Sequence, residues 1–241
     1  MPRMRADLLL VAKGLAESRA KAQAAILGGG VRAGGIVVTR ASDLVEQDAE
    51  LEFTPSHPWV SRGGVKLAHA LDAFGVNPAG RVCMDVGAST GGFTQVLLAR
   101  AALRVYAVDV GYGQLHASLR ADPRLVSLER IDARALTREL VPEAPSLIVC
   151  DVSFIGAAKA LATPLALAAE HADLVALIKP QFEAGPGAAK RGVLGDETAR
   201  AAAKASTAAL DGMQGFRVVN LIDSPVRGGD GNLEMLLYAR R

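Results

Sequence analysis

Residues 81–93 read Arg-Val-Cys-Met-Asp-Val-Gly-Ala-Ser-Thr-Gly-Gly-Phe, and they give the strongest indication of the fold in this sequence. An apolar run that carries one carboxylate, Asp85, ends in a burst of small residues, and a helical pattern follows at once over 94–100. The glycines let the backbone approach a ligand closely, because a Cβ atom would occupy that space. A buried strand, a Gly-rich turn and a helix start predict a nucleotide-type cofactor site.

The same alternation of strand and helix continues along the chain. Apolar runs predict strands at 82–87, 104–110, 125–130, 147–151 and 174–179. Helical patterns cover 92–101, 156–170 and, with Asp196 as the cap, about 196–211. This order predicts an α/β fold built on a Rossmann-like, doubly wound parallel sheet. Two last strands, 216–222 and 233–238, are joined by a Gly-rich loop and no helix, which predicts the terminal antiparallel hairpin of a methyltransferase sheet.

Carboxylates lie in or just after successive strands, where ligands of open parallel sheets bind. Asp109 follows Gly87 by 22 residues, the spacing at which an acid after the second strand reaches ribose hydroxyls. Asp132 is placed to accept from an adenine amino group, and no lysine follows the glycines, which disfavours a phosphate-binding loop. We therefore expect S-adenosylmethionine as the cofactor. The predicted cofactor-binding residues are Asp85, Gly87, Ala88, Ser89, Gly91, Gly92, Phe93, Asp109 and Asp132.

Four charged residues are predicted near one rim of the sheet. Lys66 lies in the first turn of a helix predicted over 64–74, and Asp151 ends the fourth strand. Lys179 ends the fifth strand, and Glu234 interrupts the last one. Charged groups at the ends of buried strands cluster at functional sites. These four residues are therefore the predicted catalytic group.

Composition and charge bound the function. Half of the 241 residues are hydrophobic, but no apolar run has membrane-spanning length. From the first residues we expect no cleavable leader. Cys83 and Cys150 lie inside apolar runs, which predicts buried free thiols, so we expect a cytoplasmic protein. The four histidines are scattered without ligand spacing, and no metal is expected.

The first 60 residues differ from the rest. Residues 1–40 carry seven Lys or Arg against two Asp or Glu, whereas 41–60 carry five acids and no base. The predicted elements are a short helix from Ala6, a helix over 19–27 capped by Ser18, a hairpin over 31–39, a strand over 49–53 and a Pro-containing linker, 54–58. A basic segment of this kind suggests polyanion binding. We expect a small α+β RNA-binding domain with its linker at 1–58 and a methyltransferase domain at 59–241.

This first segment resembles the RNA-binding domain of ribosomal small-subunit protein four, also called the α-L motif. The residues that carry the resemblance are Arg5-Ala-Asp-Leu-Leu-Leu, Ser18-Arg-Ala-Lys-Ala, Ile26-Leu-Gly-Gly-Gly-Val and Gly35-Ile-Val-Val-Thr. Ala6 departs from the usual Leu of that motif. The resemblance implies that Arg5, Arg19, Lys21 and Arg40 contact RNA phosphates, which supply affinity but little sequence choice.

Lys66, Asp151, Lys179 and Glu234 match the Lys-Asp-Lys-Glu tetrad of the FtsJ-type ribose 2′-O-methyltransferases. The stretches around them are similar to the TlyA family: Ser61-Arg-Gly-Gly-Val-Lys, Cys150-Asp-Val-Ser-Phe-Ile, Ile178-Lys-Pro-Gln-Phe-Glu and Gly231-Asn-Leu-Glu. The resemblance covers essentially the whole chain. It implies methyl transfer from S-adenosylmethionine to a cytidine 2′-oxygen of ribosomal RNA. It also favours the large subunit (23S), because shorter members of that family act there.

The tetrad suggests a division of labour. We expect Lys179 to bind and deprotonate the ribose 2′-hydroxyl, Asp151 to orient Lys179 and Glu234 to position Lys66. Placement of the reactants is expected to supply much of the rate. Two alternatives are a membrane-active haemolysin and a non-catalytic RNA-binding protein. The Ala-rich helices lack the basic face and bulky anchors of a lytic segment, and the intact tetrad disfavours a non-catalytic role.

Overall fold

A computed structural model describes residues 2–184 and 193–241 of the chain. The chain divides into two compact units, residues 1–58 and 59–241. Each unit has its own buried apolar cluster, which is the usual basis of an independently folding domain. Of the helices within the described ranges, none combines the length and the apolar character needed to cross a membrane.

The first unit consists of two helices and short strands. Its elements are β1 (Arg3–Arg5), α1 (Ala6–Ala12), α2 (Arg19–Leu27), β2 (Val31–Ala33), β3 (Ile36–Val37), β4 (Leu44–Glu46) and β5 (Leu51–Phe53). The antiparallel β2–β3 hairpin and the pairing of β2 with β5 lie where the sequence predicts strands. The antiparallel pair of β1 with β4 was not predicted, because neither three-residue strand has an alternating pattern of its own.

Helix α2 begins and ends as its sequence predicts. The Ser18 hydroxyl accepts a hydrogen bond from the Lys21 backbone N–H at 3.3 Å, which is the expected N-cap contact. At the other end Gly29 has φ +72°, a left-handed conformation that glycine adopts without strain. Ala22, Ala25 and Ile26 of α2 are buried against α1, and this contact forms the small core of the unit.

The second unit alternates strands and helices. Its elements are α3 (Arg62–Phe74), β6 (Val82–Val86), α4 (Gly92–Ala99), β7 (Arg104–Asp109), α5 (Ala117–Arg120), β8 (Leu125–Glu129), β9 (Leu147–Cys150), α6 (Ala157–Ala166), β10 (Asp173–Ile178), α7 (Pro180–Glu183), α8 (Asp196–Leu210), β11 (Arg217–Asp223) and β12 (Met235–Arg240). Short 3₁₀ turns occur at Ala133–Ala135 and Met213–Gly215.

The strands form one seven-stranded sheet in the order β11-β12-β10-β9-β6-β7-β8. Strand β12 runs antiparallel to both of its neighbours, and the other pairs are parallel. This arrangement confirms the predicted fold class, including the terminal antiparallel hairpin. Helices α3 and α4 cover one face of the sheet, whereas α6 and α8 cover the other. Burial raises the pKa of both Cys83 and Cys150 to about 12, so neither thiol is a nucleophile at neutral pH.

Several boundaries differ from the sequence-based expectations. Strand β12 begins at Met235, so Glu234 directly precedes the strand that it was expected to interrupt. Helix α3 begins at Arg62, which places Lys66 in the second turn and not the first. Helix α6 ends at Ala166, earlier than expected, because the chain turns there and the Ala169 N–H bonds to the Pro145 carbonyl at 2.9 Å. Asp196 is the first residue of α8, and the preceding Gly195 occupies the cap position.

Strands β6 and β9 are neighbours at the centre of the sheet, although β7 and β8 lie between them in sequence. The connections from these two strands therefore leave in opposite directions, which opens a crevice at their carboxyl ends. The Gly-rich turn follows β6, and Asp151 follows β9 directly. The fold thus brings the Gly-rich turn and Asp151 to the same edge of the sheet.

Candidate active site

The turn between β6 and α4 lies close to the end of β9. Gly87 has φ +84°, and a Cβ atom there would come within 2.7 Å of the Asp151 carbonyl oxygen. Gly91 has φ +91° and is crowded by Leu115 and Leu119, so a side chain is excluded at this position too. Ser89 adopts a left-handed φ of +48° without being a glycine. Strain of this kind concentrates at functional sites.

A cavity of about 260 Å³ lies between this turn, the start of α3 and the ends of β9 and β10. Three of the four predicted catalytic residues, Lys66, Asp151 and Lys179, line it together. The fourth, Glu234, is buried and contacts Lys66. The fold therefore brings all four residues to one site, although they are far apart in sequence.

Lys179 and Asp151 form the more open of two ion pairs. Lys179 Nζ lies 2.7 Å from Asp151 Oδ1 and donates a hydrogen bond to Ser153 Oγ at 2.8 Å. The contact with Asp151 is an ion pair, and Asp151 Oδ1 accepts no hydrogen bond from the described residues. The side chains are 13% and 22% exposed. This pair therefore faces the cavity and is accessible from it.

Lys66 and Glu234 form the more buried pair. Lys66 Nζ donates to Glu234 Oε2, and the two side chains are only 8% and 3% exposed. A cation this deep in a protein is costly unless a carboxylate accompanies it. Glu234 therefore fixes Lys66 at the back of the cavity. The loop at Gly228 lies close by, since a Cβ there would come within 2.7 Å of Glu234 Oε1.

A second cavity of about 560 Å³ adjoins the first, because Gly87, Ser89, Asp151 and Ser153 line both. Asp109 is on its wall, at the end of β7. One carboxylate oxygen of Asp109 accepts from the Ser89 N–H, and the other accepts from the Gly111 N–H, both at 2.7 Å. Each carboxylate oxygen keeps a free lone pair. Asp109 is thus held in one orientation with acceptor capacity towards the cavity.

Asp132 lines the same cavity but is already engaged. Its carboxylate accepts from the Arg134 side chain at 2.6–3.1 Å and from the Arg134 backbone N–H at 2.9 Å. The hydrogen bonds from Arg134 lower the pKa of Asp132 to about 2. Asp132 is therefore ionised at neutral pH, and much of its acceptor capacity serves its own neighbour.

Of the predicted cofactor-binding residues, Asp85 and Gly91 do not line either cavity. Asp85 is fully buried, and its Oδ2 accepts from Thr94 Oγ1 at 2.6 Å. Its Oδ1 has no donor in the described part of the chain. Burial first, and then the charges of Asp151 and Asp109, raise the pKa of Asp85 to about 7. The structure places Asp85 beneath the turn, which differs from the expected direct contact. Ala88, Gly92 and Phe93 do line the smaller cavity.

In the first unit, Asp7 accepts hydrogen bonds from two of the predicted RNA-binding residues, Arg5 and Arg19. This carboxylate is fully buried, and it accepts from Arg5 at 3.0 Å, Arg19 at 3.1 Å and Gln23 at 2.9 Å. The hydrogen bond from Arg5 is the largest cause that holds the pKa of Asp7 far below its usual range. The sequence analysis did not predict a role for Asp7. The signal was available, because Asp7 is one of only two acids in the basic segment 1–40 and lies between Arg5 and Arg19.

The other two predicted RNA-binding residues pair with surface acids. Lys21 Nζ lies 2.6 Å from Glu17, and Arg40 Nε lies 3.2 Å from Asp43. Their side chains are 31% and 80% exposed. Such pairs are weak in water and can exchange partners with a phosphate. Among the described residues, no group of His, Cys, Asp and Glu side chains is arranged to hold a metal ion.

The fold and its two cavities define a class of protein, the α/β methyltransferases. The FtsJ-like methyltransferase family matches residues 59–241, and the S4 domain matches residues 4–51. The chain belongs to the TlyA family of these FtsJ-like methyltransferases.

Relatives cover nearly all of the chain. It is 44% identical over 241 residues to the 16S/23S rRNA (cytidine-2′-O)-methyltransferase TlyA of Mycobacterium tuberculosis, with 99% of this chain and 90% of that protein covered. It is 37% identical to the 23S rRNA (cytidine-2′-O)-methyltransferase TlyA of Campylobacter jejuni, over 76% of this chain and 71% of that protein. A solved structure from Streptococcus thermophilus that carries a hemolysin name has a TM-score of 0.77 and 35% identity, covering 100% of this chain and 89% of that one. The hemolysin name is thus a label within the same family.

Proposed function

We propose that this chain transfers a methyl group from S-adenosylmethionine to the 2′-oxygen of a cytidine in ribosomal RNA. One observation carries the proposal: Lys66, Asp151 and Lys179 line one cavity, and Glu234 holds Lys66 from behind. A ribose hydroxyl is a weak nucleophile, so a site for this reaction must orient it and accept its proton. Two lysines beside a Gly-rich cofactor turn meet both needs.

The proposed roles follow from the difference between the two pairs. Lys179 binds the 2′-hydroxyl and, once its ammonium group has released a proton to water, takes the hydroxyl proton, because its pair is the one that faces the cavity. Asp151 and Ser153 orient the Lys179 amine, and Asp151 stabilises the positive charge that proton transfer creates. Lys66, fixed by Glu234, supplies a stationary positive charge near the developing alkoxide. The remaining contribution is alignment of the reacting atoms.

The larger cavity suits S-adenosylmethionine. Asp109 presents oriented carboxylate oxygens for the ribose hydroxyls, and Val110 and Ile131 supply apolar wall for an adenine ring. Its volume of about 560 Å³ lies in the range of small-molecule sites. When bound, this cofactor supplies the electrophilic methyl group. Gly87, Ala88 and Ser89 would hold its amino-acid end, close to the catalytic cavity.

Asp132 and Asp85 are weaker members of the proposed cofactor site. Asp132 can accept from the adenine amino group only with acceptor capacity that Arg134 leaves free. Asp85 supports the turn from below through its hydrogen bond with Thr94. The residues of the turn itself would make the direct contacts with the cofactor. We propose the set Gly87, Ala88, Ser89, Gly92, Phe93 and Asp109 as the direct contacts.

We propose that residues 1–58 are an RNA-binding domain with its linker, and that residues 59–241 perform the chemistry. Arg5 and Arg19 share Asp7, so their guanidinium groups are held side by side while remaining 42% and 56% exposed. Lys21 and Arg40 extend the basic character of this unit. Phosphate contacts of this kind give affinity that falls steeply with salt.

We infer that large-subunit RNA is the substrate, because both named relatives act on 23S rRNA and only one name adds 16S. We also infer that the enzyme works in the cytoplasm, where ribosomal RNA is found. A reaction that uses lysines and a sulfonium methyl group needs no metal ion.

The test is transfer of labelled methyl from S-adenosylmethionine to ribosomal subunits that lack the mark. We expect wild-type transfer, and a loss of at least about a thousandfold with Lys179→Ala, in the range of general-base removal. RNA binding by this variant should be unchanged in a filter-binding assay. Lys159→Ala, on α6, is the matched control and should act like wild type. If the wild-type protein transferred no methyl group to either subunit, the proposed methyltransferase activity would be refuted.

A further inference from the structure

Arg62 is a cation of the catalytic cavity that the tetrad does not use. It is the first residue of α3 and lines the same cavity as Lys66 and Lys179. Each of those lysines has a carboxylate partner. Within the described residues the exposed Arg62 side chain has neither an ion pair nor a hydrogen bond. The cavity therefore carries one positive charge that its own acids do not balance.

The position of Arg62 in its helix is electrostatically unfavourable. The N-terminus of a helix carries a partial positive charge, and a cation there is repelled. The first turn of α3 contains no acidic residue that would offset this repulsion. A residue that opposes its local environment without a compensating contact points to a function. An anion that enters the cavity would supply the missing partner.

The chemistry of the substrate identifies that anion. In RNA the 2′-oxygen and the 3′-phosphodiester are attached to neighbouring carbons of one ribose. A ribose whose 2′-oxygen reaches Lys179 therefore brings its own phosphodiester into the same cavity. A guanidinium matches two phosphate oxygens at once, which fixes orientation as well as distance.

We propose that Arg62 binds the phosphodiester on the 3′ side of the target ribose and so turns the 2′-hydroxyl towards Lys179. The proposal rests on the proposed function and adds a substrate contact outside the tetrad. The guanidinium lies beside Gly229, where a Cβ would come within 3.3 Å of Nη2. Gly229 thus leaves the group room to meet a ligand.

The variants Arg62→Gln and Arg62→Lys test the proposal. The matched control is Arg138→Gln, which removes another exposed arginine of the same unit that lines neither cavity. The substrate is large ribosomal subunits that lack the mark. The readouts are KM and kcat for RNA, the slope of RNA affinity against salt, and the Kd of S-adenosylmethionine by calorimetry.

We expect Arg62→Gln to raise the KM for RNA about tenfold, as loss of a charge-assisted contact predicts. The salt slope of RNA affinity should fall by about 0.7, the share of one phosphate. The Kd of S-adenosylmethionine should change less than about twofold. Arg62→Lys should keep the salt slope with an intermediate KM, because an ammonium retains charge but loses the fork geometry. Arg138→Gln should match the wild type.

Two results would overturn the proposal. A weaker Kd for S-adenosylmethionine with an unchanged salt slope would assign Arg62 to the carboxylate of the cofactor. No change in any readout would make Arg62 an ordinary surface charge. Wild-type activity is measured in the same assay, so failure of the proposed function itself would be visible as absence of transfer before any variant is compared.

Discussion

The two lysine–carboxylate pairs of the site contain the same chemical groups in different surroundings. Lys66 and Glu234 are 8% and 3% exposed, whereas Lys179 and Asp151 are 13% and 22% exposed and have Ser153 as an additional neighbour. A sealed pair can hold a charge in place, but a substrate cannot easily reach it. An open pair can exchange protons with a bound hydroxyl. On this difference in burial we propose that the Lys66–Glu234 pair holds a fixed positive charge at the site and that the Lys179–Asp151 pair carries out the proton transfer.

Removing one lysine at a time should separate these roles most strongly. Lys66→Met leaves Glu234 buried without a cation, and we expect a loss of about 3–5 kcal/mol in the free energy of unfolding. Lys179→Met leaves Asp151 within reach of water, and we expect a loss of about 1 kcal/mol. Urea unfolding followed by the fluorescence of Trp59, the single tryptophan, measures both.

The double variant Lys66→Met, Glu234→Leu is the control for this comparison. Removing both charges of a buried pair is often close to neutral, so most of the stability should return while methyl transfer stays lost. Equal destabilisation by the two single lysine variants would contradict the assignment of roles.

Asp85 extends the comparison to a buried carboxylate that has no cation. Its pKa of about 7 exceeds the value of about 3.9 in an unfolded chain. Between these values the unfolded chain releases the proton while the folded chain keeps it, so wild-type stability falls as pH rises. Asp85→Asn cannot ionise. Its unfolding free energy relative to wild type should therefore increase by about 2–3 kcal/mol from pH 5 to pH 8.

Denaturant unfolding at the two pH values checks this prediction. The Asn side chain can still accept from Thr94, so the packing under the turn is retained. A stability difference between the two proteins that does not change with pH would show that Asp85 is ionised in the folded state.

The smallest effect is expected at the surface. Arg200 and Asp223 form a bidentate pair at 2.6–2.7 Å, but their side chains are 49% and 46% exposed. Arg200→Gln should change the free energy of unfolding by less than about 1 kcal/mol, because water replaces the lost partner. The same urea assay applies. A loss as large as that of Lys66→Met would show that short contact distance, and not burial, determines how much these ion pairs contribute to the free energy of unfolding.

Local signals in the sequence were sufficient for much of the fold. The Ser18 cap, the small-residue turn after β6 and the alternation of apolar runs with helical patterns are encoded within a few residues of each element. The Gly-rich loop between β11 and β12 contains no helical pattern, and this local signal predicted the terminal hairpin. In contrast, the pairing of β1 with β4 depends on residues about forty positions apart, which no local pattern records.

The candidate site was predictable where a charge interrupts an apolar run. Lys179 and Glu234 are of this kind, and the fold brings both to the expected edge of the sheet. Asp85 also interrupts an apolar run, but it is buried beneath the turn. A strand that is buried on both faces reads as a continuous apolar run, so its sequence does not show which way each side chain points. Arg62 is followed by two glycines, and Ser153 is an uncharged residue between Val152 and Phe154, so only the three-dimensional cavity distinguishes them.

The most direct test of the central claim is the chemical position of the transferred methyl group. Large ribosomal subunits lacking the mark are incubated with the wild-type protein and labelled S-adenosylmethionine, and the RNA is digested to nucleosides and analysed by mass spectrometry. We predict that the label is found in 2′-O-methylcytidine and that Lys179→Ala leaves this product at background. Label on a cytosine base, or on no nucleoside, would contradict the account.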